Sequence, residues 1–158
     1  QMDEIMGHTY TNNLYHIIYS VKGRQGLIQR QWKDHLHSYI CGIFRNEGCK
    51  VLSIGGVADH VHILAKIKPS ISISDMLRII KTSSSKWVKE TYSPLYGFQW
   101  QEGYACFSVS ESSSEKVCEY IVNQEEHHKR VSFREEIVEF FKKHKIDYDP
   151  AMFEDDHE

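Results

Sequence analysis

Residues 58–67 have the sequence ADHVHILAKI, a mostly apolar stretch that is followed closely by Pro69. A short apolar run of this kind, with a glycine pair before it and a proline after it, is typical of a β-strand. Side chains two residues apart on a strand project from the same face, so His60 and His62 are expected to point together while Val61 faces the other way. Imidazole nitrogens bind divalent metal ions well, which makes this pair a candidate metal site.

The segments on either side of this strand complete the order β-α-β-β-α-β, and further helices follow. That order is characteristic of the ferredoxin-like fold, so we expect an α+β structure with an antiparallel sheet, helices on one face and additional C-terminal helices. Gly55-Gly56 is expected to form the bend between the second and third strands. In chain order, the predicted elements are a strand at 14–21, a helix through Trp32 and Phe44 ended by Gly48, strands at 49–54 and 58–67, a helix at 74–90, short strands at 98–101 and 104–109, and two helices introduced by the capping sequences Ser112-x-x-Glu115 and Ser132-x-x-Glu135.

The size and composition of the chain indicate a single soluble domain. It has 158 residues, of which 41% are hydrophobic and 26% are charged, so we expect one domain over 1–158 with flexible ends at 1–9 and 150–158. No apolar run approaches the roughly 20 residues of a membrane span, and no signal peptide is recognised. The four cysteines form no C-x-x-C pair, which favours a reducing, cytoplasmic location.

The net charge argues against a broadly basic nucleic-acid-binding surface. The formal charge is −3 at pH 7, whereas nucleic-acid-binding domains are often basic overall. Much of the negative charge lies in the acidic tail at 154–158. Binding to a nucleic acid would therefore depend on a local basic patch.

The helix introduced by the capping sequence at Ser112 carries a second set of candidate catalytic residues. Tyr120 and Gln124 are four residues apart, which places them one turn apart on one helical face. A tyrosine hydroxyl can act as a nucleophile that forms a covalent intermediate, and an amide oxygen is a usable ligand for Mg²⁺ or Mn²⁺. Both residues also fit an ordinary amphipathic stripe with Val117, so the spacing alone leaves a core role open. His127-His128 is interpreted as a solvated turn.

Taken in their order along the chain, the histidine strand, the tyrosine helix and the segments around them resemble the single-tyrosine HUH transposases. These are small insertion-sequence enzymes that act on single-stranded DNA. The family name denotes histidine, a hydrophobic residue and histidine, which His60-Val61-His62 matches. The resemblance extends over roughly 10–148. Its other segments are the first strand at 15–20, the stretches at 100–104 and 107–110, and the tyrosine helix at 120–128.

This resemblance implies a function and a set of site residues. Tyr120 corresponds to the nucleophile, and His60, His62 and Gln124 correspond to ligands of a divalent metal, Mg²⁺ or Mn²⁺. The implied reaction cuts and rejoins single-stranded DNA with hairpin ends through a 5′-phosphotyrosine, and the implied assembly is a homodimer. Bound DNA is expected near seven basic residues: Lys22, Arg24, Arg78, Lys81, Lys89, Lys129 and Arg130.

Several alternatives stay open at this point. A domesticated repeat-associated enzyme or a Rep-like nickase would use the same site, so the DNA substrate alone would distinguish it. A ferredoxin-like nucleic-acid-binding module would bind without catalysis. A metal hydrolase using His60 and His62 would retain turnover after Tyr120→Phe. A histidine-triad hydrolase is excluded, because the position that would need its third histidine is Leu64.

Overall fold

The computed structural model describes residues 9–153, and a four-stranded sheet forms its centre. Neighbouring strands are antiparallel and lie in the order β2-β3-β1-β4, which is the ferredoxin-like arrangement predicted from the sequence. The strands are β1 (Leu14–Ser20), β2 (Lys50–Val57), β3 (His60–Lys66) and β4 (Ala105–Ser108). The helices are α1 (Arg30–Asn46), α2 (Ile73–Thr91), α3 (Ser114–Val122), α4 (Gln124–His127) and α5 (Phe133–Lys143).

Both faces of the sheet are covered. Helices α1 and α2 pack on one face and bury the side chains of Val61 and Ile63 in the main apolar core. The histidines of β3 lie on the opposite face, which is covered by the C-terminal helices. The alternation predicted for β3 is therefore confirmed. It creates a second, more polar interior between the sheet and the segment that follows β4.

Two sequence signals at helix ends are confirmed. Gly48 has φ +76°, a left-handed conformation that suits glycine, directly after the end of α1. Ser132 and Glu135 form the predicted capping box at the start of α5, with each side chain bonded to the other residue's backbone N–H. This box fixes where α5 begins and hence which of its side chains face the sheet.

The prediction of a bend at Gly55-Gly56 is wrong, because β2 continues through both residues to Val57. The chain instead turns at Ala58 and Asp59. A Cβ atom on Gly55 would collide with the backbone carbonyl oxygen of Ile121 in α3. The glycine therefore allows close approach of α3 to the sheet rather than a turn.

The strand predicted at 98–101 is also wrong, since this segment makes only an isolated bridge between Val21 and Trp100. Side chains anchor it instead. The Trp100 indole N–H donates to Ser84 Oγ at 2.9 Å, and Phe98 is buried. The strand predicted at 104–109 is present but shorter, as β4.

The tyrosine segment is divided differently from the prediction. A 3-10 turn, Glu111–Ser113, precedes α3, and no side-chain cap is formed at Ser113, so the capping box predicted at Ser112 is absent. Helix α3 ends at Val122, and α4 begins at Gln124 after Asn123 departs from helical geometry. The two residues predicted to share one helix, Tyr120 and Gln124, therefore lie on consecutive helices separated by a break.

The predicted flexible ends fall largely outside the described residues, at 1–8 and 154–158. Within the described part, Pro150–Phe153 forms a 3-10 turn, and Phe153 is buried against α5 and the sheet. No helix between residues 9 and 153 combines the length and the apolar character that a bilayer crossing requires.

Candidate active site

His60 and His62 lie side by side on β3, with ring centroids 5.1 Å apart and no exposed surface. Each ring is held through its Nδ1 atom. His60 Nδ1 donates to Asp59 Oδ1 at 2.7 Å, and His62 Nδ1 lies 2.8 Å from Nε2 of His16 on β1. The Nε2 atoms of both rings are consequently directed toward the helices that cover this face, as metal-binding histidines require.

Three residues from the C-terminal segment meet these imidazoles. Glu136 Oε1 lies 3.0 Å from His62 Nε2, 3.5 Å from His60 Nε2 and 3.1 Å from His128 Nε2. One ligand atom from each of the four residues lies within 4.8 Å of the others, a spacing that one metal ion can bridge. Gln124 Oε1 lies close by, 3.3 Å from His60 Nε2 and 2.9 Å from His128 Nε2.

The interpretation of His128 as part of a solvated turn is wrong. Its Nδ1 donates to the carbonyl oxygen of Val131 at 2.8 Å, which turns Nε2 inward. The side chain is 11% exposed and contacts Gln124 and Glu136. The turn after α4 therefore directs this imidazole into the cluster, a result that neighbouring histidines in a polar segment did not indicate.

Glu136 is the residue that sequence reasoning missed most clearly. It is 3% exposed and lies on the buried side of α5, between Phe133 and Phe140. The available signal was its spacing: a carboxylate three residues after one core aromatic and four before the next occupies the apolar face of a helix. A buried carboxylate normally has a specific partner, so this spacing indicates a candidate site residue.

The charges of the cluster are mutually dependent. Burial by itself raises the pKa of Glu136, but hydrogen bonds with His128, His60 and His62 hold it well below its usual range. Burial lowers the pKa of His62 to about 4. Burial also opposes protonation of His60, yet the hydrogen bonds with Asp59 and Glu136 outweigh it and raise its pKa. The hydrogen bonds from the surrounding imidazoles therefore favour the ionised form of the Glu136 carboxylate.

Tyr120 reaches the same cluster from α3. Its hydroxyl donates to Glu136 Oε2 and lies 3.2 Å from His127 Nε2. The ring centroid is 5.8 Å from that of His62. Burial, followed by the charge of Glu136, raises the pKa of Tyr120 above its usual range, so the phenol is protonated at neutral pH. The phenol, the histidine pair and Gln124 are thus brought together within one chain.

A cleft of about 830 Å³ runs beside the tyrosine. Its walls include the Tyr120 ring, and cations from α3 and α5 lie along it: Lys116, Lys142 and Lys143. These lysines were not among the seven basic residues chosen from the sequence. The cleft provides an approach to the phenol from the outside of the molecule.

The structure separates the seven predicted DNA-contacting residues into surface and interior positions. Arg24 is buried, with its guanidinium 4.7 Å from the centre of the Phe133 ring, so its expected exposure to DNA is wrong. Lys81 donates to the carbonyl oxygens of Gln101 and Gly103 and holds that loop, and burial lowers its pKa to about 8. Lys89 is half-buried, and four residues are exposed: Lys22, Arg78, Lys129 and Arg130.

We expect Asp59→Ala to weaken Mn²⁺ binding by about 10- to 100-fold, the usual consequence of removing the hydrogen-bond partner of a metal-binding histidine. The loss arises because the 2.7 Å bond from His60 Nδ1 to the carboxylate would no longer orient the ring. Calorimetric titration measures the affinity. Glu90→Ala, which removes an exposed carboxylate at the end of α2, is the matched control. Equal affinity of both variants and the wild type would refute an orienting role for Asp59.

Sequence comparison places the chain among known proteins. Residues 9–124 match the profile of the IS200-like transposases. The ISDra2 transposase TnpA of Deinococcus radiodurans is 27% identical over 129 residues, which cover 78% of this chain and 91% of that protein. The transposase of insertion sequence IS200 from Salmonella typhimurium is 26% identical over 132 residues, covering 80% of this chain and 86% of its own length.

Solved structures agree with this placement. A crystal structure of a Deinococcus radiodurans transposase superposes with a TM-score of 0.63 at 25% identity, covering 78% of this chain and 98% of that one. A REP-associated tyrosine transposase bound to a REP hairpin has the same fold, with a TM-score of 0.55 at 14% identity over 76% of this chain and 70% of that one. The family match spans well over half of the sequence and includes the histidine pair, Tyr120 and Gln124. The chain therefore belongs to the IS200-like transposase family.

Proposed function

We propose that this transposase cuts and rejoins single-stranded DNA through covalent attack by Tyr120, assisted by a divalent metal ion, Mg²⁺ or Mn²⁺, bound by His60, His62 and Gln124. One observation carries the proposal: the phenol, both imidazoles and the amide oxygen converge on one buried cluster in a single chain. The donor set fits a divalent cation, because neutral imidazole and oxygen donors are its usual ligands.

The proposed reaction is a transesterification at phosphorus. The oxygen of Tyr120 forms a bond to the phosphorus atom, and the bond from phosphorus to the 3′-oxygen breaks. The phenol proton ends on that 3′-oxygen, so the step has no net proton gain or loss. A cation in the cluster would polarise the scissile phosphate and neutralise its developing charge. The resulting 5′-phosphotyrosine retains a phosphodiester, so attack by another 3′-hydroxyl rejoins DNA without ATP.

Glu136 has a positioning role in this reaction. Its Oε2 accepts the hydrogen bond of the Tyr120 hydroxyl, and the Nε2 of Gln124 also donates to it at 3.2 Å. A phenol held this way has a fixed orientation when a phosphate enters the cleft. Fixed orientation of reacting groups is one of the larger contributions to enzymatic rate.

The route for DNA follows the cleft beside Tyr120. Lys116, Lys142 and Lys143 line it, and Arg130 borders the adjoining hollow on the other side of the tyrosine. We include Lys129 in this set, and the more distant Lys22, Arg78 and Lys89 as contacts for flanking DNA. Phosphate contacts of this kind make affinity fall steeply with salt concentration. The hairpin bound by the REP-associated relative supports a substrate with hairpin ends.

Transposition of a segment requires cleavage at both of its ends. Each chain contributes one Tyr120, so a homodimer would supply two nucleophiles. In the described structure a single chain already brings its tyrosine to its own histidine pair. The proposed dimer therefore pairs two sites and does not require an exchange of helices between subunits.

The function is tested with a randomised single-stranded DNA library flanked by hairpins and labelled at either end. Incubation with Mn²⁺ and separation on a denaturing gel should attach the 3′-labelled fragment to the protein, because a 5′-phosphotyrosine retains the downstream DNA. The 5′-labelled fragment should be released with a free 3′-hydroxyl. Attachment of the 5′-labelled fragment would contradict the proposed polarity. Binding without any covalent species would favour a non-catalytic nucleic-acid-binding module.

A further inference from the structure

We propose that His128 and Glu136 are metal ligands alongside His60 and His62, forming a site of three imidazoles and one carboxylate that selects Mn²⁺ over Mg²⁺. The inference rests on the metal-assisted function proposed above and extends it. Both added ligands follow residue 124, where the match to the family profile ends. They belong to the turn after α4 and to α5.

The geometry of the four ligand atoms supports a shared ion. One carboxylate oxygen, Glu136 Oε1, faces the Nε2 atoms of all three imidazoles at 3.0 to 3.5 Å. These separations suit ligand atoms that each lie roughly 2.0–2.2 Å from one shared ion, and the most widely spaced atoms of the cluster, which lie within 4.8 Å of one another, would close slightly around it. His60, His62 and Glu136 are buried, and His128 is nearly so, which keeps competing water away from most of the site.

The added ligands are held in place by the fold. The N–H at Nδ1 of His128 donates to the Val131 carbonyl, which leaves the Nε2 lone pair free to bind a cation. Glu136 follows the capping box at Ser132 by one helical turn. Phe133 and Ile137, on either side of it, are anchored in an apolar cluster against the sheet. These contacts orient the carboxylate toward the histidines without help from an ion.

The balance of charge also favours a cation at this position. The second oxygen of Glu136 accepts hydrogen bonds from Tyr120 and Gln124 and lies 3.1 Å from His127 Nε2, whereas the first faces the three imidazoles proposed as ligands. A buried carboxylate needs a compensating positive charge, which a divalent ion supplies more completely than a single proton. Glu136 would then bind the ion through one oxygen and accept the hydrogen bond of the Tyr120 hydroxyl through the other.

The donor types determine the preferred ion. Sites rich in imidazole suit transition-metal ions, whereas Mg²⁺ prefers oxygen ligands and retains several of its waters. Three imidazoles and one carboxylate therefore favour Mn²⁺ over Mg²⁺, and Gln124 Oε1 provides a further oxygen donor beside His60 and His128. A site limited to two histidines and an amide would discriminate less between the two ions.

The test measures Mn²⁺ affinity by calorimetry in the full chain, without DNA. Glu136→Gln keeps the size of the side chain but removes its charge, and we expect at least about tenfold weaker binding, with a similar loss for His128→Ala. Glu139→Gln, an exposed carboxylate on the same helix, is the control and should bind as the wild type does. Mg²⁺ should displace Mn²⁺ only at concentrations at least about tenfold higher.

The outcomes separate this inference from the proposed function. Wild-type affinity in both Glu136→Gln and His128→Ala, together with loss of binding in His60→Ala, would overturn the added ligands and leave the three-ligand site standing. No binding by the wild type would overturn both. If circular dichroism shows that a variant is unfolded, electron spin-echo spectra of the Mn²⁺-bound wild type decide: three coordinated imidazoles support the inference, and two overturn it.

Discussion

Tyr120→Phe is expected to lower the rate of covalent adduct formation by at least about 10⁴-fold, a magnitude typical of removing an enzyme's nucleophile. The phenylalanine ring retains the packing of the tyrosine against His16 and Phe140. It lacks the oxygen that would bond to phosphorus. The rate is measured from the slower-migrating protein–DNA species on a denaturing gel.

The control for this variant is Tyr39→Phe. Tyr39 lies on α1, stacked on Trp87 and remote from the histidine pair, so its hydroxyl should be dispensable. Mn²⁺ binding should persist in Tyr120→Phe, because the proposed ligands remain. An adduct that forms at the wild-type rate in Tyr120→Phe would exclude this residue as the nucleophile.

The second large effect concerns the metal. Replacing His60 and His62 together by alanine is expected to reduce DNA cleavage by about 10³-fold or more, because a catalytic ion contributes several kcal/mol to stabilising the transition state. A chelator should reduce wild-type cleavage to the same extent. Added Mn²⁺ should then restore the wild type but not the double variant. Cleavage is followed with a 3′-labelled single strand.

His35→Ala provides the matched histidine control, because His35 is exposed on α1. Circular dichroism of the double variant checks that removal of two buried rings has not unfolded the sheet. Unchanged cleavage in the folded double variant would show that the histidine pair has no catalytic role. Turnover that requires the pair but survives Tyr120→Phe would indicate a metal hydrolase instead.

The sequence predicts the fold well where one periodicity dominates. The alternation in β3 correctly separated His60 and His62 from Val61, and the order of elements correctly indicated the sheet topology. Gly55 shows where such reasoning stops. A glycine pair usually suggests a bend, but here the missing Cβ makes room for α3, which is a contact between segments 66 residues apart along the chain and leaves no local signal.

The site was predicted only in part for the same reason. The family resemblance indicated that His60, His62, Tyr120 and Gln124 act together, and they do lie together. The positions of His128 and Glu136 depend on how the turn after α4 folds back and on how α5 docks. Those features follow from tertiary packing, which neither the spacing of residues nor their composition specifies.

Tandem mass spectrometry of the trapped adduct decides whether Tyr120 becomes covalently joined to DNA. After nuclease digestion, we expect a 5′-linked nucleotide remnant on the peptide that contains Tyr120, formed only when Mn²⁺ is present. A remnant on any other residue, or an adduct that forms equally well in chelator, would contradict it.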